Sequence, residues 1–334
     1  MGRTQRLSYV ISCFFFWYLF ILVLLIIIFN MNQINLGKHL LINDDCVSAM
    51  DTIKNESVDL VIADPPYWKV VSEKWDYMWR TENDYLEWSK QWLEKVFQKL
   101  RIGGSFYLFG YFRMLSLLIP ILQELGFSLR QQIILDKGMR AVAGRATKNY
   151  KMFPNVTESI LFLIKDNKDF SRKLLKEHQK KLGLKAKEIN EALGVKSNGG
   201  GMWSIYTGVN ICEQFPTKEL WEKLEKILQF SYPYEKIAQT FNPQLGVTDV
   251  WNDIDFYAEK RYHPTQKPLK LIERIIKTSS NPGDLILDPF GGSGSTLIAS
   301  QLNNRSSILI ELDKEYYSSI QERYSYEFEQ PFTL

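Results

Sequence analysis

Cysteine is scarce in this chain of 334 residues, and the positive and negative charges nearly cancel. Only Cys13, Cys46 and Cys212 are present. Their spacing excludes a disulfide framework and a zinc site, and it fits a reducing compartment. The formal net charge is only +3. Any affinity for a polyanion must therefore come from a local cluster of basic residues and not from the charge of the whole chain.

Charged residues are also missing from a long N-terminal segment, in which residues 9–29 form an unbroken apolar run. The run is long enough to cross a bilayer as a helix, and it lacks the small-residue cleavage site of a signal peptide. Arg3 and Arg6 precede it, so the positive-inside bias would place the rest of the chain outside the cytoplasm. Two interpretations stay open: either residues 1–30 form a membrane anchor, or translation begins at Met31.

After this segment, predicted strands and helices alternate, which is typical of an α/β protein with a mainly parallel sheet. The strand candidates are apolar runs at residues 39–42, 58–63, 105–109, 129–135, 158–164, 284–288 and 306–310. We expect 129–135 and 158–164 to pair antiparallel across a long loop. We also expect Thr81 to cap a helix that runs through Leu100 and is closed by a turn at Gly103-Gly104.

The motif Asp64-Pro65-Pro66-Tyr67 directly follows the apolar run 58–63. Ligand sites in open α/β sheets lie outside the carboxyl ends of such strands. Asp64 could accept one hydrogen of an exocyclic amine, and the Pro65 carbonyl could accept the other, because the two prolines fix φ and offer no competing N–H. Tyr67 offers a flat face for a base taken out of the duplex. The motif therefore predicts a pocket for the amino group of adenine or cytosine.

A second motif, Asp288-Pro289-Phe290-Gly291-Gly292-Ser293-Gly294-Ser295-Thr296, follows the apolar run 285–287. Its glycines let the backbone approach a ligand closely, and the helix from Ser295 presents free N–H groups. Glu311 stands 20 residues after Gly291 at the end of a predicted strand, where a carboxylate can bind ribose hydroxyls. The strict G-x-G-x-x-G spacing is missing, which argues against a dinucleotide. A nucleotide-dependent oxidoreductase would also have such a glycine loop, but that function would not explain the motif at residues 64–67.

Together with His263-Pro264-Thr265-Gln266-Lys267-Pro268, the two motifs resemble the β-class amino-methyltransferases of DNA, whose catalytic motif precedes the cofactor motif. The resemblance covers about residues 38–165 and 256–325. It implies an α/β fold with a seven-stranded, Rossmann-like methyltransferase sheet that uses S-adenosylmethionine. The predicted division is an apolar segment 1–30, a catalytic half 31–165, a helical target-recognition insertion 166–255 and a cofactor-binding half 256–334.

The resemblance also implies roles for individual residues. The catalytic residues are Asp64, Pro65, Pro66 and Tyr67. The cofactor-binding residues are Asp45, Cys46, Thr265, Lys267, Asp288, Phe290, Gly291, Gly292, Ser293, Gly294 and Glu311. Among them, Asp45 is expected to face the cofactor's adenine, Glu311 to bind its ribose, and Thr265 and Lys267 to lie at its methionine end. Asp45-Cys46 fits the family's Gly-Asp-Cys pattern, except that Asp44 stands in place of the usual glycine.

Basic residues are concentrated in one part of the chain. Residues 130–190 carry 15 Lys or Arg against 6 Asp or Glu, which is enough for a face that follows DNA phosphates. Solvated helix faces are the alternative explanation. The expected DNA contacts lie in a basic loop that contains glycine, and they are Lys137, Arg140, Arg145, Lys148 and Lys151. The alternative interpretation of this loop is an ordinary hairpin connection without a role in DNA binding.

The sequence thus predicts site-specific methylation of adenine N6 in duplex DNA, as part of a restriction–modification or phage system. Adenine is preferred because cytosine-N4 enzymes of the family more often begin the catalytic motif with serine. Cytosine N4 is the alternative target, and a non-catalytic or membrane-tethered DNA-binding protein is the alternative class. Besides DNA, the candidate partners are a cognate restriction endonuclease and, in a homodimer, a second copy of the chain. Since DNA and the cofactor are found in the cytoplasm, we expect a cytoplasmic protein. We also expect that a chain beginning at Met31 methylates DNA at least as well as the full chain.

Overall fold

A computed structural model describes residues 32–68, 77–142, 153–194, 201–208 and 213–329. Within these ranges nine strands form one sheet in the order β1-β2-β9-β8-β3-β4-β6-β5-β7. The strands are β1 (Gln33–Leu36), β2 (His39–Ile42), β3 (Val58–Ala63), β4 (Leu100–Gly110), β5 (Phe127–Asp136), β6 (Thr157–Lys165), β7 (Val250–Trp251), β8 (Leu285–Asp288) and β9 (Ser306–Ile310).

All seven predicted strands are present, and the sheet is mainly parallel. The exceptions are β6, which is antiparallel to both of its neighbours, and β1, which is antiparallel to β2. The predicted antiparallel pairing of β5 with β6 is therefore confirmed. The sheet has nine strands and not the expected seven, because β1 and the two-residue β7 extend its two edges. The other seven strands were predicted from their long apolar runs, and neither edge strand contains such a run.

Helices lie between most of the successive strands and after the last one. They are α1 (Cys46–Met50), α2 (Glu82–Lys99), α3 (Phe112–Leu125), α4 (Lys168–Leu182), α5 (Ala186–Ala192), α6 (Gly201–Tyr206), α7 (Lys218–Leu228), α8 (Leu269–Ser279), α9 (Ser295–Leu302) and α10 (Lys314–Phe328). Alternate residues of β3 enter two different apolar clusters, with Val61 in one and Leu60 in the other. Both faces of the sheet are therefore buried, as in other parallel sheets.

Helix α2 begins at the predicted cap and ends at the predicted position, but the turn expected after it does not form. The Thr81 hydroxyl accepts from the Asp84 N–H, and the Asp84 carboxylate accepts from the Thr81 N–H, which forms a capping box. The predicted turn at Gly103-Gly104 is wrong, because both glycines lie inside β4. They mark a shift in register against β3, where Gly103 has φ +73° and a Cβ there would lie 2.1 Å from the Ile237 carbonyl oxygen. Close approach of two backbones, and not helix termination, requires glycine at this position.

The region 166–255 contains helices α4 to α7, and these have an apolar cluster of their own. Trp203 and Trp221 are buried in that cluster, and Trp251 is buried beside β5. The prediction that these three tryptophans pack in the interior is confirmed. Among the described residues, no helix is both long and apolar enough to cross a membrane. The apolar run 9–29 and the start at Met31 lie outside the described ranges.

Candidate active site

The site lies at the carboxyl edge of the sheet, where four parallel strands end side by side. Asp64 follows β3, Asp288 ends β8, Glu311 follows β9, and Asp45 comes soon after β2. Parallel strands bring their ends together, so residues from distant parts of the chain meet at this edge. The sequence motifs were expected at strand ends, and the structure places them there.

A cavity of about 490 Å³ opens at this edge. Its volume is in the range of small-molecule sites, which is about 300–1,000 Å³. Apolar and aromatic side chains form much of its wall, and several carboxylates also line it. The lining residues are Asp44, Asp45, Cys46, Asp64, Pro65, Pro66, Tyr67, Met78, Trp79, Trp88, His263, Thr265, Pro289, Phe290, Gly292, Ile310, Glu311, Leu312, Asp313, Lys314 and Tyr316.

The glycine loop is tied to the neighbouring strand by its backbone. The Gly291 N–H donates to the Ile310 carbonyl at 2.7 Å, and the Gly292 N–H donates to Glu311 Oε2 at 2.7 Å. Gly294 is the N-cap of α9 and has φ +74°, a conformation that favours glycine. A Cβ at Gly294 would lie 2.9 Å from Ile320, so both the conformation and the space require glycine.

Burial perturbs both carboxylates beside this loop. Burial, with smaller contributions from the charges of Asp64 and Glu311, raises the pKa of Asp288 to about 7. Burial likewise raises the pKa of Glu311 to about 7, with a contribution from Asp313. Carboxylates with pKa values this far from normal are typical of functional sites. A cationic ligand in the cavity would favour their ionised forms.

We expect Asp288→Asn to stabilise the ligand-free protein more at pH 8 than at pH 5. Asp288 is 6% exposed; its Oδ1 accepts from the Phe290 N–H at 3.0 Å and its Oδ2 from the Thr296 hydroxyl. Asparagine can keep the first bond and donate to the hydroxyl. Because the folded pKa is raised, wild-type stability falls as pH rises from about 4 to 7, at most by about 1.4 kcal/mol per unit. Thermal unfolding should show a gain of about 1–3 kcal/mol at pH 8, and a gain independent of pH would contradict this explanation.

The catalytic motif forms a dense ionic cluster beside the loop. Lys267 Nζ lies 2.6 Å from Asp64 Oδ2, 3.0 Å from Glu158 Oε1 and 3.2 Å from the Tyr67 hydroxyl. The Tyr67 hydroxyl is within hydrogen-bond distance of Asp64 Oδ1 and of Glu158 Oε1. Lys137 Nζ lies 2.6 Å from the other oxygen of Glu158. Two ammonium groups thus face two carboxylates around one phenol.

The charges of this cluster depend on each other. Burial raises the pKa of Asp64, with Glu158 adding to the effect and Lys267 opposing it. Burial also opposes ionisation of Glu158, but Lys267 and Lys137 outweigh it and lower the pKa of Glu158 to about 2. Burial lowers the pKa of Lys267, but the two carboxylates hold it above its usual range. Tyr67 stays a neutral phenol, because burial and both carboxylates raise its pKa.

Several predicted cofactor residues have partners within the protein. Asp45 caps α1 by accepting from the N–H groups of Val47 and Ser48, while it also lines the cavity. Cys46 lines the same wall as a buried thiol whose pKa burial raises. Thr265 Oγ1 lies 3.1 Å from His263 Nδ1. Lys267, expected at the methionine end of the cofactor, makes its ion pairs in the catalytic cluster.

The predicted DNA contacts fall into three groups. Lys137 is ion-paired with Glu158, and its side chain is 24% exposed. Arg140 is exposed in the short 3-10 helix Met139–Val142. Arg145, Lys148 and Lys151 lie outside the described residues.

Sequence reasoning missed Glu158 and the aromatic walls. Glu158 is the only charged residue in β6 before its last position, and its side chain is 1% exposed. A lone carboxylate in an otherwise apolar strand was the available signal. Trp88 and Tyr316 also line the cavity, and the Tyr316 ring packs edge-on against His263 at 4.2 Å. Burial and the charge of Lys267 lower the pKa of His263 to about 4, so this imidazole is neutral at pH 7.

Known proteins share much of this sequence. Residues 58–322 match the sequence model of the N6/N4 methyltransferase family, described as DNA methylase. The type II methyltransferase M1.MboII of Moraxella bovis is 29% identical over 273 residues, covering 81% of this chain and 91% of that protein. The type II methyltransferase M.HpaI of Haemophilus parainfluenzae is 27% identical over 298 residues, covering 86% and 74%.

Solved structures share the fold. The putative DNA modification methylase TTHA0409 of Thermus thermophilus, crystallised with S-adenosyl-L-methionine, superimposes with a TM-score of 0.52 at 23% identity, covering 86% of this chain and 94% of that one. The cytosine-N4-specific PvuII DNA methyltransferase superimposes with a TM-score of 0.52 at 16% identity, covering 88% and 87%.

Proposed function

Since the chain belongs to the N6/N4 family of DNA methylases, we propose that it transfers a methyl group from S-adenosylmethionine to adenine N6 in duplex DNA. The observation that carries this proposal is the position of Asp64 and Tyr67 in the wall of the cavity formed with the glycine loop. One cavity can hold both the methyl donor and the amino group that receives it. Asp64 as the first residue of the catalytic motif favours adenine, because cytosine-N4 relatives more often have serine there.

The cavity fits a nucleoside with a cationic sulfur. Trp88 and Phe290 supply apolar walls, and Glu311 supplies a carboxylate at the end of β9 suited to ribose hydroxyls. Asp288 lines a smaller cavity that shares His263, Thr265 and Phe290 with this one. With a pKa near 7, it can ionise when a positive ligand binds nearby. When bound, S-adenosylmethionine supplies a methyl group on a positively charged sulfur. These residues would hold it.

The protein's own part in the reaction is to orient the amine and accept its hydrogen bond. Each carboxylate oxygen has two acceptor sites, so Asp64 can accept from the target amine while it stays bonded to Tyr67 and Lys267. The nitrogen lone pair then forms the N–C bond as the C–S bond breaks. Positive charge develops on the nitrogen, and the nitrogen afterwards loses a proton to the Asp64 carboxylate, which passes it to solvent. A nearby carboxylate stabilises that charge because the site is buried.

The test is to incubate the protein with unmodified duplex DNA and labelled S-adenosylmethionine. Digestion to nucleosides and mass spectrometry should reveal N6-methyladenine. N4-methylcytosine would assign the same chemistry to the other base, and unlabelled DNA would refute the proposal. Sequencing with modified-base detection gives the methylated site.

The DNA is expected to cross a basic and aromatic surface beside the catalytic cluster. The Tyr257 ring is 38% exposed and has the Arg140 guanidinium 5.0 Å and the Arg261 guanidinium 5.5 Å from its centre. Both arginines are exposed, and they come from different segments. Lys137 lies between this surface and the catalytic cluster. Its Nζ is 5.3 Å from the centre of the ring of Phe256, the neighbour of Tyr257 in the chain, and it is ion-paired with Glu158. The sequence-reading role is assigned to the helical region 166–255.

We expect Arg140→Gln/Arg261→Gln to weaken DNA binding on all sequences. Removing two phosphate contacts should reduce the salt slope of log K by about 2, at roughly 0.9 for each contact. Binding titrations from 50 to 200 mM salt would measure this.

The matched control is Lys38→Gln/Lys54→Gln. It removes two exposed cations that lie before β2 and β3, at the opposite edge of the sheet. An unchanged slope in the arginine variant, or an equal change in the control, would exclude this surface as the phosphate contact.

A further inference from the structure

Glu158 is the most completely enclosed carboxylate of the catalytic cluster, with its side chain 1% exposed. It lies near the start of β6, which is neither of the segments that carry the catalytic and glycine motifs. All its ionic partners belong to the site or border it. Oε1 contacts the Tyr67 hydroxyl and Lys267, and Oε2 contacts Lys137. Burying a charge is costly unless it is paired, so these partners hold it in place.

The hydroxyl of Tyr67 cannot serve both carboxylates equally. A phenol has one hydrogen to donate, yet its oxygen lies within hydrogen-bond distance of Asp64 Oδ1 and Glu158 Oε1. Lys267 donates to Asp64 and Tyr67 and is ion-paired with Glu158. Any change in the charge of Glu158 therefore alters the bonding of Asp64 through two shared partners.

We propose that Glu158 is a positioning residue for methyl transfer, which holds Tyr67 and Lys267 in place and keeps the cluster neutral around Asp64. This inference rests on the function proposed above. With Glu158 and Asp64 ionised, they balance the charges of Lys137 and Lys267. If Glu158 were neutral, the cluster would carry one net positive charge beside an amine that becomes positive in the transition state. Lys267 would also pair with Asp64 alone and compete with the target amine for its oxygens.

The experiment is a cycle of Glu158→Gln, Lys137→Gln and the double variant. Glutamine keeps the size of the side chain and an acceptor for Tyr67 but removes the charge. We expect Glu158→Gln to lower kcat by about 10- to 100-fold, the scale of one charge-assisted hydrogen bond, with KM for DNA and cofactor changed less than about threefold. The double variant restores a neutral cluster, and it should recover most of the lost kcat.

The pH profile provides a second readout. Asp64 must be ionised to accept from the amine, and the charge of Glu158 helps to raise its pKa. Removing that charge should move the acid limb of kcat to lower pH. The other titratable groups that face Asp64 are Tyr67, Lys267 and Asp288, and all three stay in place.

The outcomes separate this inference from the proposed function. The control Glu124→Gln removes an exposed carboxylate paired with Lys90 at 3.7 Å and should match wild type. Glu158 has no positioning role if the kcat of Glu158→Gln equals that of wild type. It also has none if the kcat of the double variant falls by the product of the two single-variant losses and the pH profile does not shift. If wild type itself methylates no DNA, the proposed function fails instead. Cofactor binding and thermal unfolding of each variant distinguish a folded, slow enzyme from a misfolded one.

Discussion

Asp64→Asn should reduce methyl transfer by about 10³-fold or more while cofactor affinity stays within a few-fold. Asparagine keeps the shape of the side chain but has one acceptor oxygen in place of two, and it carries no charge. The target amine then loses its oriented acceptor, and positive charge on nitrogen loses a nearby counter-charge. Orientation and proton acceptance together account for effects of this size. The glycine loop has no hydrogen bond to Asp64 among those found in the described residues, so the cofactor site should remain intact.

Two measurements check this expectation. Transfer of labelled methyl groups gives the rate, and calorimetric titration with S-adenosylmethionine gives the affinity. Asp51→Asn is the matched control, because Asp51 is an exposed aspartate that is ion-paired with Lys95. Wild-type turnover in the Asp64 variant would show that Asp64 does not orient the target amine. Loss of cofactor binding in that variant would show that Asp64 supports the cavity itself.

The sheet could be predicted because its inner strands are buried on both faces. Such strands are continuous apolar runs, and β3 and β9 begin and end at the predicted residues. Edge strands escape this signal, since β1 and β7 are short and partly exposed. The glycines at 103 and 104 were misread because a turn and a strand irregularity have the same composition.

The site could be predicted only to the level of motifs. Each motif directly follows a strand, so its place at the carboxyl edge follows from topology. The partner of each side chain does not follow, because partners are far apart in sequence. Lys267 pairs with Asp64 across 203 residues, although its motif suggested contact with the cofactor. Glu158 is in a strand that carries no motif, so its role depends on the register of β6 against β4 and β5.

Tyr67→Ala should weaken the flipped state of the target base, and Tyr67→Phe should affect turnover more than base binding. Stacking of a base on an aromatic ring contributes about 1–3 kcal/mol, so alanine should reduce the flipped population by about 5- to 150-fold. Phenylalanine keeps the ring but removes the hydroxyl that lies between Asp64 and Glu158. Two carboxylates would then share Lys267 without that donor. We expect kcat to fall by about tenfold in this milder variant, again the scale of one hydrogen bond to a charged group.

A duplex with 2-aminopurine at the target position separates the two effects, because its fluorescence rises when the base leaves the stack. The phenylalanine variant should give nearly the wild-type signal with slower methylation, whereas the alanine variant should lose both. Tyr326→Phe is the control for loss of a hydroxyl, since Tyr326 is 67% exposed on α10. Equal fluorescence from the alanine variant and wild type would show that Tyr67 does not stack on the base. Equal turnover of the phenylalanine variant and wild type would show that the hydroxyl bridge contributes nothing, and the catalytic cluster would then depend on Lys267 alone to hold Asp64 and Glu158 together.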